Sequence, residues 1–329
     1  MPDLIDLYMK LRAPVREGGL DTFTALPILE LPHRIGRGAN GVPALLVAAS
    51  ITPKASPIRL EHLDVRHGVT CRITHPGHSS ETGTFSVIRC IGAESELVRC
   101  FLRVLEPIVR SLGPSPSPEA LTRTIEDLVE LFRAMEQPPQ KSAHGLFAEL
   151  CVICCAADPI KLLRAWHVAP EERFDFIDGA QRIEVKASAT HVREHHFSLE
   201  QTNPPLGCRV IVASTFVDHA GGGVSIEDLV GQVCSLVGEE PELQARLNRG
   251  VARSLGSNWR DSTSVRFDFE VTRTSIVFFD VETVPRVALP LPWGVSEVRF
   301  KSDLSQCEPV MFEILRERGG IFAAAEPRR

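Results

Sequence analysis

The sequence predicts a mixed α/β (α+β) fold, in which a β-rich N-terminal domain precedes helices and a mixed β-sheet. Three observations carry this expectation. Short apolar runs broken by Gly, Pro, Asn and His fill the first ninety or so residues. Two amphipathic patterns of helical period follow, over residues 94–112 and 117–135, separated by Gly113-Pro114-Ser115-Pro116. Then an alternating stretch from Phe174 to Ser188 centres on Asp178-Gly179, a hairpin turn signal.

In chain order, residues 2–11 read as a short amphipathic helix and residues 26–31, 43–51, 62–73 and 84–91 as strands. Turns such as Gly36-Arg37-Gly38-Ala39-Asn40-Gly41 and His75-Pro76-Gly77-His78 separate them. The run from Gly36 to Gly41 lacks the Gly-Lys-Ser/Thr ending of a phosphate-binding loop, so an ordinary turn is expected. Ser117 is placed to cap the second long helix, with Pro118 at its first position. Gln137-Pro138-Pro139-Gln140 marks a boundary, after which Ser142 caps an apolar helix running to about Ala157. Beyond Gly221-Gly222-Gly223, helices are expected near residues 226–237 and 241–254, a hairpin around 265–282 and a last strand near 297–301. The implied division is a β-rich N-terminal domain over 1–93, a helical bridge over 94–140, a core over 141–224, and C-terminal helices and a β-hairpin packing on that core over 225–329.

Composition narrows the function. The 329 residues are 43% hydrophobic and 24% charged, a globular balance. A net charge of −6 excludes a polycationic nucleic-acid packaging protein, but not an enzyme that meets DNA through a local basic patch. No run approaches the roughly 18–20 apolar residues of a membrane span. The first residues, Met1-Pro2-Asp3-Leu4-Ile5-Asp6, carry early acids, so a cytoplasmic protein is expected. Nine cysteines, two of them adjacent at Cys154 and Cys155, read as reduced thiols, and Cys151-x-x-Cys154 reads as core packing rather than a zinc site. Trp166, Trp259 and Trp293 are too scattered for a stacking platform and default to packing. Lysine is scarce, six against thirty arginines, which makes any lysine in an informative place conspicuous.

The chemistry concentrates in the hairpin. With Gly179 and Ala180 at the tip, Asp175 lies opposite Glu184; with Asp178 and Gly179, it lies opposite Arg182, one diagonal step away. Either register keeps Asp175, Glu184 and Lys186 on one face. Two carboxylates across a strand pair repel by about 0.2–1 kcal/mol when exposed and by more when sheltered. A hard divalent cation relieves that repulsion, Mg²⁺ above all, with Mn²⁺ able to substitute. Glu149 is the one acid of the apolar helix, and a carboxylate there needs a cation or hydrogen-bond donors. It leans over the same metal or holds Lys186. The plainer alternatives are a solvated hairpin face and a Glu149 paired with a structural arginine.

The order of these residues resembles the PD-(D/E)XK nuclease superfamily, the restriction-endonuclease-like fold: a helix with Glu149, a strand with Asp175, then Glu184-Val185-Lys186. Gly145 to Leu150, Trp166, Asp175-Phe176, Ile183 to Ser188 and Phe197 to Gln201 resemble, more narrowly, a prokaryotic PD-(D/E)XK family of similar length, over roughly residues 5–305. That family is met in defence and restriction-type operons beside ATPases and methyltransferases. Phe174 stands where the superfamily's name has Pro, and the Pro-rich segment 201–206 implies that the helix between the third and fourth core strands is reduced or absent. The resemblance implies a mixed sheet flanked by helices, with Asp175, Glu184 and Glu149 as metal ligands and Lys186 positioning or polarising the attacking water. It also implies that Glu149 assists a metal or orients the lysine, and that Gln201 is a further site residue. The implied activity is Mg²⁺-dependent endonucleolytic hydrolysis of DNA by a restriction-like or anti-phage component. A homodimer and an ATPase or methyltransferase are the implied partners. The competing reading is a catalytically inactive nuclease-fold subunit that binds DNA or serves as a scaffold. Arg173, Arg182 and Arg193, with His191, His195 and His196, are candidates for DNA-backbone contacts, the plainer reading of the histidines being an exposed strand end.

Overall fold

The computed structural model describes residues 4–14, 21–28, 31–48, 56–75, 80–92, 94–167, 173–238 and 240–328. Its backbone divides into two units, Met1–Gln137 with Glu239–Ala245, and Pro138–Gly238 with Arg246–Arg329.

The first unit runs α1 (Leu4–Met9), β1 (Asp21–Pro27), β2 (Arg34–Gly38), β3 (Pro43–Val47), β4 (Ile58–Arg59), β5 (Leu63–Thr74), β6 (Ser80–Cys90), α2 (Ser95–Leu112) and α3 (Pro118–Ala134). The strands pair in the order β1-β2-β3-β6-β5-β4, and β1 also pairs in parallel with β5, from Asp21↔Cys71 to Thr24↔Thr74. That extra pairing closes five of the strands into a small barrel. Alternate side chains of its strands, among them Phe23, Ala25, Ala44, Leu46, Cys71, Ile73, Phe85 and Val87, form its buried interior. The β-rich character follows the sequence, but Gly36, Arg37 and Gly38 belong to β2 rather than to a turn. The turn proper follows, with the Gly41 N–H donating to Gly38 O and the Gly38 N–H to Val42 O. Ser117 caps α3, its hydroxyl accepting from the Ala120 amide, with Pro118 first in the helix. The ends of the expected strands at 29–30 and 49–51, and Pro76-Gly77-His78, lie outside the described residues.

The second unit runs α4 (Ala143–Cys155), α5 (Pro159–Ala165), β7 (Phe176–Asp178), β8 (Gln181–Ser188), β9 (Glu194–Ser198), α6 (Leu199–Thr202), β10 (Arg209–Phe216), β11 (His219–Ser225), α7 (Ile226–Val237) and α8 (Pro241–Leu255), of which residues 246–255 belong to this unit. It continues through α9 (Trp259–Ser264), β12 (Arg266–Phe267), α10 (Phe269–Thr274), β13 (Val277–Asp280), β14 (Arg299–Asp303), α11 (Phe312–Arg318) and α12 (Gly320–Ala324). The central sheet has the order β13-β10-β8-β7, with β8 and β10 parallel and the outer pairs antiparallel. Ser142 caps α4 by accepting from the Gly145 amide. The helix is buried on nearly all sides because it packs on β8 while α5, α7 and α10 cover it. The reduced helix after β9 is the four-residue α6.

Residues 265–282 do not form a hairpin. Asp268 accepts from the Val271 amide and starts α10 between the two apolar strands, so β12 pairs with β11 and β13 with β10. Helices α5, α11 and α12 were not anticipated by the sequence pattern. The nine cysteines are all free thiols, and among the described residues no helix is long and apolar enough to cross a membrane.

Candidate active site

The hairpin sets the site. Phe176↔Ile183 and Asp178↔Gln181 fix the register with Gly179 and Ala180 at the tip, and Gly179 has φ +54, the positive value that the first central position of a type II′ turn requires. Extended by one step, this register sets Asp175 against Glu184. Asp175 stands just before β7, and its side chain takes over from the backbone ladder: Oδ2 accepts from the Val185 N–H at 2.8 Å. Glu184 and Lys186 lie two apart on β8 and meet at the head, Lys186 Nζ 2.7 Å from Glu184 Oε1.

Gln201 joins them. Its position on α6 is fixed by a capping box with Ser198, and its Nε2 donates to Glu184 Oε1 at 2.6 Å and to Arg173 O at 3.1 Å. Its Oε1 accepts from Lys186 Nζ at 3.2 Å and from the Ser198 amide at 3.0 Å. Glu184 Oε2 is buried with no hydrogen-bond partner. Phe197 lies under the ammonium, its ring centroid 4.9 Å from Lys186 Nζ.

Glu149 reaches the same cleft from α4, but it does not hold Lys186. Its Oε2 accepts from Trp166 Nε1 at 2.8 Å, and its Oε1 accepts from Lys141 Nζ at 2.6 Å. Lys141, which the motif does not include, also donates to Asp175 Oδ1 at 2.5 Å. The sequence offered one signal for it, a rare lysine immediately before the Ser142 cap. Trp166 is thus both core packing and the donor that satisfies a buried acid.

Burial dominates the electrostatics. Burial and then the charge of Asp175 push Glu149 up to about 8 and Glu184 up to about 7, against the pull of Lys141 and Lys186. Burial also opposes ionisation of Asp175, but the Lys141 ammonium and its hydrogen bond, the Val185 amide and Lys186 outweigh it, and this carboxyl stays below its usual range.

All five sequence-predicted residues, Glu149, Asp175, Glu184, Lys186 and Gln201, line one cleft of about 620 Å³, with Lys141, Arg173, His196 and Arg299 also on its walls. The other basic candidates divide. Arg173 is exposed, with Glu200 at 3.9 Å. Arg182 binds the turn carbonyls of Gly179 and Gln181, and Arg193 binds the carbonyls of Ser214 and Ser275, so both are structural. The histidines are not one exposed strand end. On β9 their alternation sends His196 to the cleft and buries His195 against Ser214 Oγ at 2.8 Å, while His191 meets Asp218 at 2.6 Å. Among the described residues no three His, Cys, Asp or Glu side chains are arranged as a metal-binding group. The donors offered to a cation are the two facing carboxylates, a set to which Mg²⁺ adds its own waters.

Neither a curated protein nor a solved structure matches the chain. A family model described as "Putative PD-(D/E)XK family member, (DUF4420)" matches residues 4–305. Asp175 entering the hairpin and Glu184-x-Lys186 leaving it match the D and (D/E)XK of that description, and with nearly its whole length matched the chain belongs to this PD-(D/E)XK family.

Proposed function

We propose that the protein is a divalent-cation-dependent endonuclease that hydrolyses DNA phosphodiester bonds as a restriction-like or anti-phage component. The observation that carries this reading is the convergence of Asp175, Glu184 and Lys186 in one cleft, with a buried carboxylate oxygen, Glu184 Oε2, left without a donor. The residues fit a hard cation: two facing carboxylates, one unsatisfied oxygen, and no thiol among the cleft-lining side chains. When bound by Asp175 and Glu184, such an ion supplies a more acidic water and neutralises charge on the phosphoryl oxygens.

The chain's own groups do the positioning. Lys186 spends two of its three N–H donors on Glu184 and Gln201, leaving one for a phosphate oxygen or the attacking water. Gln201 holds Glu184 and Lys186 together. Arg173, Arg299 and His196 on the cleft walls offer contacts to the DNA backbone. An inactive scaffold subunit would have no need of the complete Asp175, Glu184, Lys186 set.

The test is to incubate supercoiled DNA, linear DNA and RNA with the protein, with Mg²⁺ or with chelator. Nicking of DNA that requires Mg²⁺ and disappears in Glu184→Gln is the expected result. A folded protein that cuts none of them, or cuts equally well in chelator, removes the reading.

A further inference from the structure

Lys141 is outside the motif, yet its ammonium meets two carboxylates in the cleft. Its ammonium lies 2.6 Å from Glu149 Oε1 and 2.5 Å from Asp175 Oδ1, and its side chain is 22% exposed. Its own amide donates to Ser254 O at 3.1 Å, and the next residue, Ser142, caps α4. The backbone that carries it is therefore tied on both sides. The far oxygen of each acid is also held, Glu149 Oε2 by Trp166 and Asp175 Oδ2 by the Val185 amide, which aims the near oxygens at the ammonium.

Resting on the nuclease reading above, we infer that Lys141 is a positioning residue that serves as a fixed, protein-borne cation between Glu149 and Asp175, so that the cleft takes one divalent ion, at Asp175 and Glu184, and not two. Mg²⁺ would need carboxylate oxygens at about 2.0–2.1 Å, in the space the ammonium fills, so an ion and Lys141 exclude each other there. Glu149 then acts through Lys141, holding its ammonium against Asp175.

The experiment is Mn²⁺ binding to the metal-free protein, counted by calorimetry and by the electron-spin signal of the free ion. The wild type should bind one Mn²⁺ in the cleft, lost in Glu184→Gln. Lys141→Ala should bind two, and the double variant Lys141→Ala/Glu149→Gln one again. Lys141→Ala should melt below the wild type without metal, and saturating Mn²⁺ should raise its Tm by more than it raises the wild type's. Two ions in the wild type, a single ion of unchanged affinity in Lys141→Ala, or a Lys141→Ala that stays unfolded in saturating Mn²⁺ each overturns the inference and leaves a metal-dependent nuclease standing. No ion in the wild type, or one that survives Glu184→Gln, removes the nuclease reading itself and this inference with it.

Discussion

The backbone N–H of Val185 donates to the side chain of Asp175 at 2.8 Å. The acid expected to bind metal is also the last rung of the β7–β8 ladder, so the same side chain sets the register and furnishes the site.

That double duty separates two substitutions that would otherwise look alike. An asparagine at 175 has one acceptor for two donors, the Val185 amide and Lys141, so Asp175→Asn should lose about 1–3 kcal/mol of metal-free stability. Glu184→Gln should cost less, because Oε1 keeps its acceptor role and the amide nitrogen replaces an oxygen that has no donor, although Lys186 loses its charged partner. Urea denaturation without metal checks both, and equal losses would contradict the hydrogen-bond pattern.

Metal should stabilise the fold by mass action, by about 2.7 kcal/mol at a concentration a hundred times Kd. Melting curves with Mg²⁺ or Mn²⁺ should therefore shift upward for the wild type and remain still for Glu184→Gln. Equal shifts in both would place the ion elsewhere.

The pH dependence has a sign. Burial, then Asp175, raises Glu184 from 4.5 to about 7. Between those values the folded protein keeps a proton that the unfolded chain releases, so metal-free stability falls as pH rises, by up to about 1.4 kcal/mol per pH unit. His195 works oppositely. Burial, then the charges of Lys186 and Arg193, hold it down at about 4, so its contribution grows as pH rises from about 4 to 6.5. Subtracting the Tm of Glu184→Gln from that of the wild type cancels the histidine. The difference should fall from pH 5 to 7.5 without metal, and added Mg²⁺ should reverse the fall. Parallel curves would show that Glu184 ionises in the fold as it does in the unfolded chain.

Trp166→Phe keeps most of the ring volume but removes the donor to Glu149 Oε2. It should destabilise the protein by about 1–3 kcal/mol, and adding Glu149→Gln should recover part of that loss. Strict additivity of the two changes would mean that the bond contributes nothing.

Lys186→Ala should reduce cleavage by about a hundredfold or more while leaving DNA affinity within a few-fold, since affinity rests on many phosphate contacts. Its partner Glu184 keeps the Gln201 amide as a donor to Oε1, so the variant should remain folded. A folded Lys186→Ala that cuts at the wild-type rate would take this residue out of the mechanism.

The parts of this site that the sequence announces are those with local causes. A hydroxyl before an apolar periodic run is a local signal, and Ser117 and Ser142 do cap their helices. Asp178-Gly179 signals a hairpin but permits two registers, and the structure takes the one with Gly179 and Ala180 at the tip. Lys141 has partners 8 and 34 residues away and sits in an irregular connector, so no periodicity exposes it. Phe267 and Val277 to Phe279 were recognisable as strand residues. Their partners in β11 and β10 are tertiary choices, and the cap at Asp268 competes with the hairpin pattern between them.

The parallel seam between β1 and β5 has a kinetic consequence. Phe23 must find Ile73, fifty positions along the chain, before the barrel has an inside. β1-β2-β3 and β5-β6 can form as successive antiparallel neighbours, but β3 must still find β6 and the closing seam pays the loop entropy of its own separation. Until it closes, β1 and β5 present bare edges, the surfaces through which β-proteins aggregate. Slow assembly of the first unit and vulnerability of its half-built barrel to misassociation are thus written into one pair of strands.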